Sequence, residues 1–444
     1  MSEQLSGSRE EASAAVAPGK TAAVAPAQVG AATAPTPAAR LREYLRGDLG
    51  PFPVIVALVV MAVLFQFTTS GIFLTPRNIS ESVIGGEAIV TAVFALGAVL
   101  VLLLGEIDLS LAVVGTLCAY VMAIMTERVH WPFGGPHDHW PALAAILVGL
   151  LVGVVVGLVN GFFVAVMRMP SFVVTLAGLI GYQGLIIRLG NKQQTIPISN
   201  NTINSIFPTT LCPGFDSTSS CADPLYLGIV LPLIGLALYL GYGLLNRRAR
   251  AKAELDVEPF GQFATRLVIV TAAVAIVVGI YSAYRGFPLP AMILVALIII
   301  LWLITRATAF GRHIYAVGGN AEAARRAGIN VVGLRVAIFA MASTLAAIGG
   351  ILEASQETSA PSLPSPALLL NAIATAVIGG VSLFGGRGSM WAVVLGTLVL
   401  SALLSGLLLM GQGDDVLLMA EGIILLAAVL VDALARRRSV TGYR

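Results

Sequence analysis

From residue 52 onward, apolar runs of roughly twenty residues alternate with short polar stretches almost to the end of the chain. A bilayer core is crossed by about 20 helical residues, so runs of this length predict membrane spans. They fall near 52–72, 80–104, 109–126, 141–166, 171–188, 225–245, 267–284, 288–305, 334–352, 367–384, 389–410 and 416–434. The pattern predicts an all-α polytopic membrane protein with about 12 transmembrane helices. The membrane domain covers 50–435, with a loop at 306–333 inside it and a short tail at 436–444.

Residues 1–45 break the pattern. The segment is Ala/Pro-rich with few large apolar residues, too little to offset the entropy of ordering it, and it reads as a disordered tail. It lacks an apolar stretch close to its start, so it does not read as a secretory signal.

Composition agrees with the pattern. Hydrophobic residues make up 57% of the chain and charged residues 11%, against about 25% charged in an ordinary soluble domain. A soluble core of this length would need far more polar surface. Charge placement sets the orientation. With both termini inside, all but five of the 26 lysines and arginines fall on the inner side. The five outside are Arg77, Arg128, Arg188, Lys192 and Arg285. That asymmetry follows the positive-inside rule and places both termini in the cytoplasm. Spans two to five and nine to twelve are of similar length and start in opposite directions, as an inverted repeat would.

Three cysteines are too few for a disulfide scaffold. Cys118 sits in an apolar run and reads as a packed thiol. Cys212 and Cys221 bracket "PGFDSTSS" in a polar loop and could be bridged only if that loop faces an oxidising compartment.

Several stretches carry candidate chemistry. "GEIDLS" puts Glu106 and Asp108 between two apolar runs. A carboxylate at the bilayer centre costs about 2.5–3.5 kcal/mol on insertion scales, so a turn between spans two and three is the cheaper place for them. There Asp108 or Ser110 would cap the next helix, with Gly105 supplying the break. The acids could equally line a pathway or face a partner. Glu87 and Glu421 are expected deeper, within spans two and twelve, where a carboxylate needs a partner or a polar pathway.

In the loop "TRATAFGRHIYAVGGNAEAARRAGINV", Asn320 is a good N-cap, "AEAARRA" favours helix, and Gly328 stands where a terminating residue is expected. Glu322 precedes Arg325 and Arg326 by three and four residues, so ion pairs along one face are expected. A short, well-delimited helix between spans suggests docking by a cytoplasmic protein.

Other chemistry is weak. "PGKT" at Pro18–Thr21 has Ala14 where a phosphate-binding loop needs glycine, so ATP hydrolysis is not expected of this chain. His130, His137 and His139 share a polar loop and read as a solvated turn, "GQGDD" at Gly411–Asp415 as another turn. His313 reads as interfacial, and Arg387 as a turn charge. Nothing points to a bound metal or to nucleic acid. An ion-driven carrier would use Glu87 or Glu421. An intramembrane sugar transferase would need a second acidic cluster beside "GEIDLS".

Three stretches carry a resemblance: "TAFGRHIYAVGGNAEAARRAGINV", "LLLGEIDLSLAVVGT", and "NGFFVAVMRMPSFVVTLAG" beginning at Asn160. With "AVIGGVSLFGGRGSM" they resemble the permease subunits of bacterial ABC importers for monosaccharides, over residue 50 to the C-terminus. Where the family usually has a second glycine in its acidic motif, Glu106 stands, as in the xylose-type branch. Leu111-Ala112 replaces a common Val-Gly. The resemblance implies a ten-helix core plus an extra pair near 225–284.

It also implies a homodimer in the inner membrane, a cytoplasmic ATPase that uses ATP and Mg, and an extracytoplasmic sugar-binding protein. This chain itself would bind no cofactor and catalyse nothing. The family's coupling element would map onto Gly311, Arg312, Tyr315, Gly318, Gly319, Asn320, Glu322, Ala323, Ala324, Arg325 and Gly328. Glu87, Glu106, Asp108, Ser110 and Asn160 would be pathway or structural residues.

Overall fold

A computed structural model describes residues 52–127, 140–190, 194–211, 227–255, 257, 259–284 and 286–441. The Ala/Pro-rich tail with its "PGKT", the loop with His130, His137 and His139, and Cys212 and Cys221 lie outside the described residues. Long helices dominate: α1 (Phe52–Thr68), α2 (Gly86–Leu103), α3 (Leu111–Thr126), α4 (Ala142–Gly161), α5 (Ser171–Leu189), α6 (Leu227–Lys252), α7 (Phe260–Ser282) and α8 (Leu289–Ala307). Then come two short helices, α9 (Ala309–Gly319) and α10 (Ala321–Arg326). They are followed by α11 (Val331–Glu357), α12 (Pro366–Ile378), α13 (Ala392–Leu409) and α14 (Asp414–Thr441). A helix lies at each predicted apolar run. Among the described residues, seven are long and apolar enough to cross a membrane, and three shorter ones are also apolar.

Helices α2 and α3 form the centre. From Ala88 to Leu103 and from Leu111 to Thr126 every residue is buried, as expected of helices that are apolar all round. Around them pack α4, α11, α12 and α13. The α4–α11 contact rests on Gly153, Gly157 and Gly161, spaced four apart on one face, while Gly149 before them meets the Cys118 carbonyl of α3. A Cβ on Gly157 would lie 2.5 Å from the Phe339 carbonyl oxygen and 2.6 Å from Ala340 Cα, so only glycine lets the two backbones approach this closely. The opposite face of α4 exposes Leu143, Leu147, Leu151 and Val155. Large apolar side chains are likewise exposed on α1, α5, α6, α7 and α14. Such a belt is foreign to a soluble surface and suits lipid.

The helix of span two is interrupted near its start. A π turn at Ile79–Val83 is followed by Gly85 in an extended conformation and Gly86 at φ +49°, and α2 begins only there. The Ser401 hydroxyl donates to the Val83 carbonyl at 2.6 Å, and Ser405 to Asn78 Oδ1 at 3.0 Å, so α13 takes up polar groups of the interrupted segment. Glu87 is an exposed residue in the first turn of α2, within the apolar stretch Pro76–Leu103. Glu421 on α14 has a partner: Asn371 Nδ2 on α12 donates to it at 3.0 Å.

Two minimal antiparallel pairings join loops at the Glu87 end of the bundle. They are β1 (Thr195–Pro197) with β4 (Ser359–Pro361), and β2 (Thr210–Leu211) with β3 (Phe287–Pro288). Cys118 is a buried free thiol. Gly411 closes a turn after α13 at φ +71°, and Asp414 and Asp415 open α14. The segment expected as a tail from residue 436 continues α14 as helix to Thr441.

Candidate functional site

The α2–α3 connection sits at the opposite end from Glu87, about 27 Å along α2 at 1.5 Å per residue. Gly105 turns the chain at φ +74°. After it, Asp108 is 4% exposed between the two central helices. Its Oδ1 accepts the Ser110 backbone N–H at 2.8 Å and the Ser110 hydroxyl at 2.6 Å. Asn160, at the end of α4 and 1% exposed, donates from Nδ2 to the Ser110 hydroxyl oxygen at 3.1 Å. The Tyr182 hydroxyl on α5 donates to Asn160 Oδ1 at 2.7 Å.

The start of α5 secures the same turn. The Ile107 N–H donates to Ser171 Oγ at 3.3 Å, and the Leu109 N–H to Thr175 Oγ1 at 3.0 Å. Glu106 reaches Arg335, in the second turn of α11, at 2.9 Å.

The expected cap by the Ser110 hydroxyl is corrected here. Ser110 occupies the N-cap position of α3 but its hydroxyl makes no cap bond, and Asp108 accepts the N–H of Ser110 itself, not one inside the helix. The Ser110 hydroxyl is committed to Asp108 and Asn160, so the carboxylate braces the turn where it enters α3. Asp108 Oδ2 is buried with no hydrogen-bond partner. This carboxyl lies between spans, and burial pushes its pKa up to about 6, with the two Ser110 bonds pulling it back.

Next to this turn lies the end of α9, which leads into α10. The Asn320 side chain accepts the Ala323 N–H at 2.9 Å, Gly328 has φ +86°, and Glu322 pairs with Arg325 at 3.0 Å and Arg326 at 3.2 Å. Those pairings hold the Glu322 carboxyl below the usual carboxylate range. The preceding helix α9, capped by Thr308 on the Gly311 N–H at 3.2 Å, was not anticipated as a separate element.

The eleven residues expected to form a docking element divide in two. Arg312, Gly319, Asn320, Glu322, Ala323, Arg325 and Gly328 are exposed, while Gly311 and Ala324 are buried. Gly318 is half-buried, and half-buried Tyr315 turns inward, its hydroxyl donating to the Gly388 carbonyl at 3.0 Å.

Sequence reading missed Arg335, Ser171, Thr175, Tyr182 and Glu353, a half-buried carboxylate on α11. Ser171 and Thr175 carry a local signal, two hydroxyls one turn apart directly after Pro170. Arg335 and Tyr182 carry none, because their partners are distant in the chain.

The stretches quoted for the resemblance thus meet at one end of one bundle. A family model described as the permease component of branched-chain amino acid transport systems matches residues 84–431. The chain belongs to this permease family. The xylose transport system permease protein of Haemophilus influenzae is 33% identical to it over 392 residues, covering 88% of this chain and 98% of that one. The corresponding Escherichia coli K12 protein is 32% identical over 396 residues, or 88% and 94% of the two chains. The ribose import permease of Bacillus subtilis is 29% identical, covering 86% of this chain and 92% of its own. No solved structure matches the chain. As a permease of this family, the protein is a helical, multi-pass protein of the inner membrane.

Proposed function

We propose that this permease is the membrane-spanning subunit of an ATP-driven importer for a monosaccharide, a pentose of xylose type being favoured. The observation that carries the reading is that two features at one end of the bundle are linked through the end of α9, whose Gly318 abuts the Leu103 carbonyl. One is α10, an exposed, N-capped helix. The other is the braced turn joining the two central helices. A push on the first reaches the second through the end of α9.

In this reading α10 docks in a groove of a cytoplasmic ATPase, an ordinary helix-in-groove mode. That partner binds ATP and Mg and does the hydrolysis, while this chain is non-catalytic and binds no cofactor. A second copy of the chain completes the pathway, and a separate binding protein delivers sugar from outside. Both termini and the 306–333 loop face the cytoplasm, a placement supported by the charge asymmetry. The pentose assignment draws on relatives that are named xylose permeases and match along most of their length.

The test is to purify the tagged chain from its host in mild detergent, identify what accompanies it, and measure ATP hydrolysis and xylose uptake in vesicles. A co-purifying ATPase with sugar-dependent turnover is expected. A chain that purifies alone, with uptake abolished by a protonophore and insensitive to ATP, would overturn the reading.

A further inference from the structure

We propose that Gly385–Gly386, in the loop between α12 and α13, works with Gly105 and Gly318–Gly319 as a side-chain-free joint that carries movement of α9 and α10 into the turn holding Asp108. The inference rests on the reading that α10 receives the ATPase, and adds how the movement is transmitted.

Three stretches of backbone meet there directly. The Gly386 N–H donates to the carbonyl of Leu103, the last residue of α2, at 2.9 Å. A Cβ on Gly318, near the end of α9, would lie 1.8 Å from that same oxygen and 2.6 Å from Gly386 N. A Cβ on Gly385 would lie 2.7 Å from Gly105 N and 2.8 Å from the Gly318 oxygen. On Gly386 it would lie 2.9 Å from Gly319 Cα. Gly105, Gly385 and Gly386 have φ of +74°, +85° and +74°, a region that side chains disfavour. The Tyr315 hydroxyl bonds the far end of the loop to α9.

Side chains between packed elements absorb small shifts by changing rotamer. Backbone against backbone has no such slack, so displacement of the α9 end must move Leu103 and Gly105 with it. Gly105 stands three residues before Asp108, whose bonds run on to α4 and α5 through Ser110, Asn160 and Tyr182. The joint therefore connects the docking helix to three helices of the bundle. The Phe384 side chain, 51% exposed on the same loop, offers a rival use as a second contact for the ATPase.

The test uses the whole transporter in vesicles, with its ATPase and binding protein, and reads sugar moved per ATP hydrolysed. Tyr315→Phe removes one hydroxyl and keeps the ring. It is expected to lower that ratio about threefold or more, the scale of one lost hydrogen bond, while the ATPase stays bound. An unchanged ratio overturns the joint. So does loss of the ATPase in Tyr315→Phe, which would make Tyr315 a docking or folding residue. Phe384→Ala is expected to keep the ATPase, and its loss there would make the loop a docking surface instead. If the unaltered chain captures no ATPase, the parent reading falls by that separate result and the joint with it.

Discussion

Glu106 and Arg335 form an ion pair of 2.9 Å that ties the α2–α3 turn to α11, with only 15% and 27% of their side chains exposed. Removing one partner strands the other charge in a poorly solvated place. Glu106→Leu or Arg335→Leu is therefore expected to cost about 1–3 kcal/mol, between the values for surface and buried pairs. Exchanging the two, Glu106→Arg with Arg335→Glu, should recover at least half of the loss. Thermal exposure of buried Cys118 to a thiol-reactive dye, with Cys212 and Cys221 replaced by serine, would measure it. Singles as stable as the parent would show that the pair contributes nothing.

The brace around Asp108 makes a sharper prediction, because its two oxygens differ. Oδ1 accepts two bonds from Ser110, whereas Oδ2 is buried without a partner. Asp108→Asn can keep the first set and sheds a buried charge. Asp108→Leu loses both bonds and leaves the Ser110 N–H unsatisfied, at a cost of about 1–3 kcal/mol. The sign with pH follows from the raised pKa. Folding favours the protonated acid, so the parent loses stability as pH rises from the ordinary carboxylate range through about 6. Asp108→Asn should match the parent near pH 4 and exceed it near pH 8. A gap that does not widen with pH would argue that the carboxylate is stabilised by something other than Ser110.

How much of this was legible beforehand depends on whether the signal was local. The helices announce themselves as long apolar runs, and α10 through Asn320, Glu322 and Gly328, all within one turn or two. The break at Gly105 was equally readable. Helix α9 was not, since "AFGRHIYAVGG" holds three glycines and helical propensity argues against it. Burial of Ile314 and Val317 against the bundle overrides that propensity. The interruption before α2 had a signal that hydropathy masks, the Gly85–Gly86 pair inside an apolar run. The pairing of Glu106 with Arg335 and the chain from Asp108 to Tyr182 depend on which helices pack together, which no local pattern encodes.

Asn320 offers a test of the short helix itself. Its side chain supplies the N-terminal cap of a helix of only six residues, too short to hold by propensity. Asn320→Ala is expected to cost about 1 kcal/mol of local stability, enough to fray α10, whereas Asn320→Asp keeps an acceptor. The expected outcome is lower sugar uptake per ATP in the alanine variant and near-parent uptake in the aspartate variant. Equal uptake in both would mean that α10 needs no preformed helix to act.

Not all helical glycines are equivalent, and the difference is measurable. A Cβ on Gly157 would meet the α11 backbone at 2.5–2.6 Å, which neither helix can yield without separating. Gly157→Ala is expected to destabilise the bundle by about 1–3 kcal/mol, as overpacking does, and Gly157→Leu to abolish its assembly. Gly181 on α5 has nothing within 4 Å of such a Cβ. Gly181→Ala should be neutral or gain up to about 1 kcal/mol through helix propensity in the dispersed single chain. Dye-reported melting of both variants, first as the single chain and then in the assembled transporter, separates two origins for any loss at Gly181. A loss confined to the assembled transporter would place the second copy against that face of α5. A loss in the single chain would mean that α5 packs within the bundle more closely than its open glycines indicate.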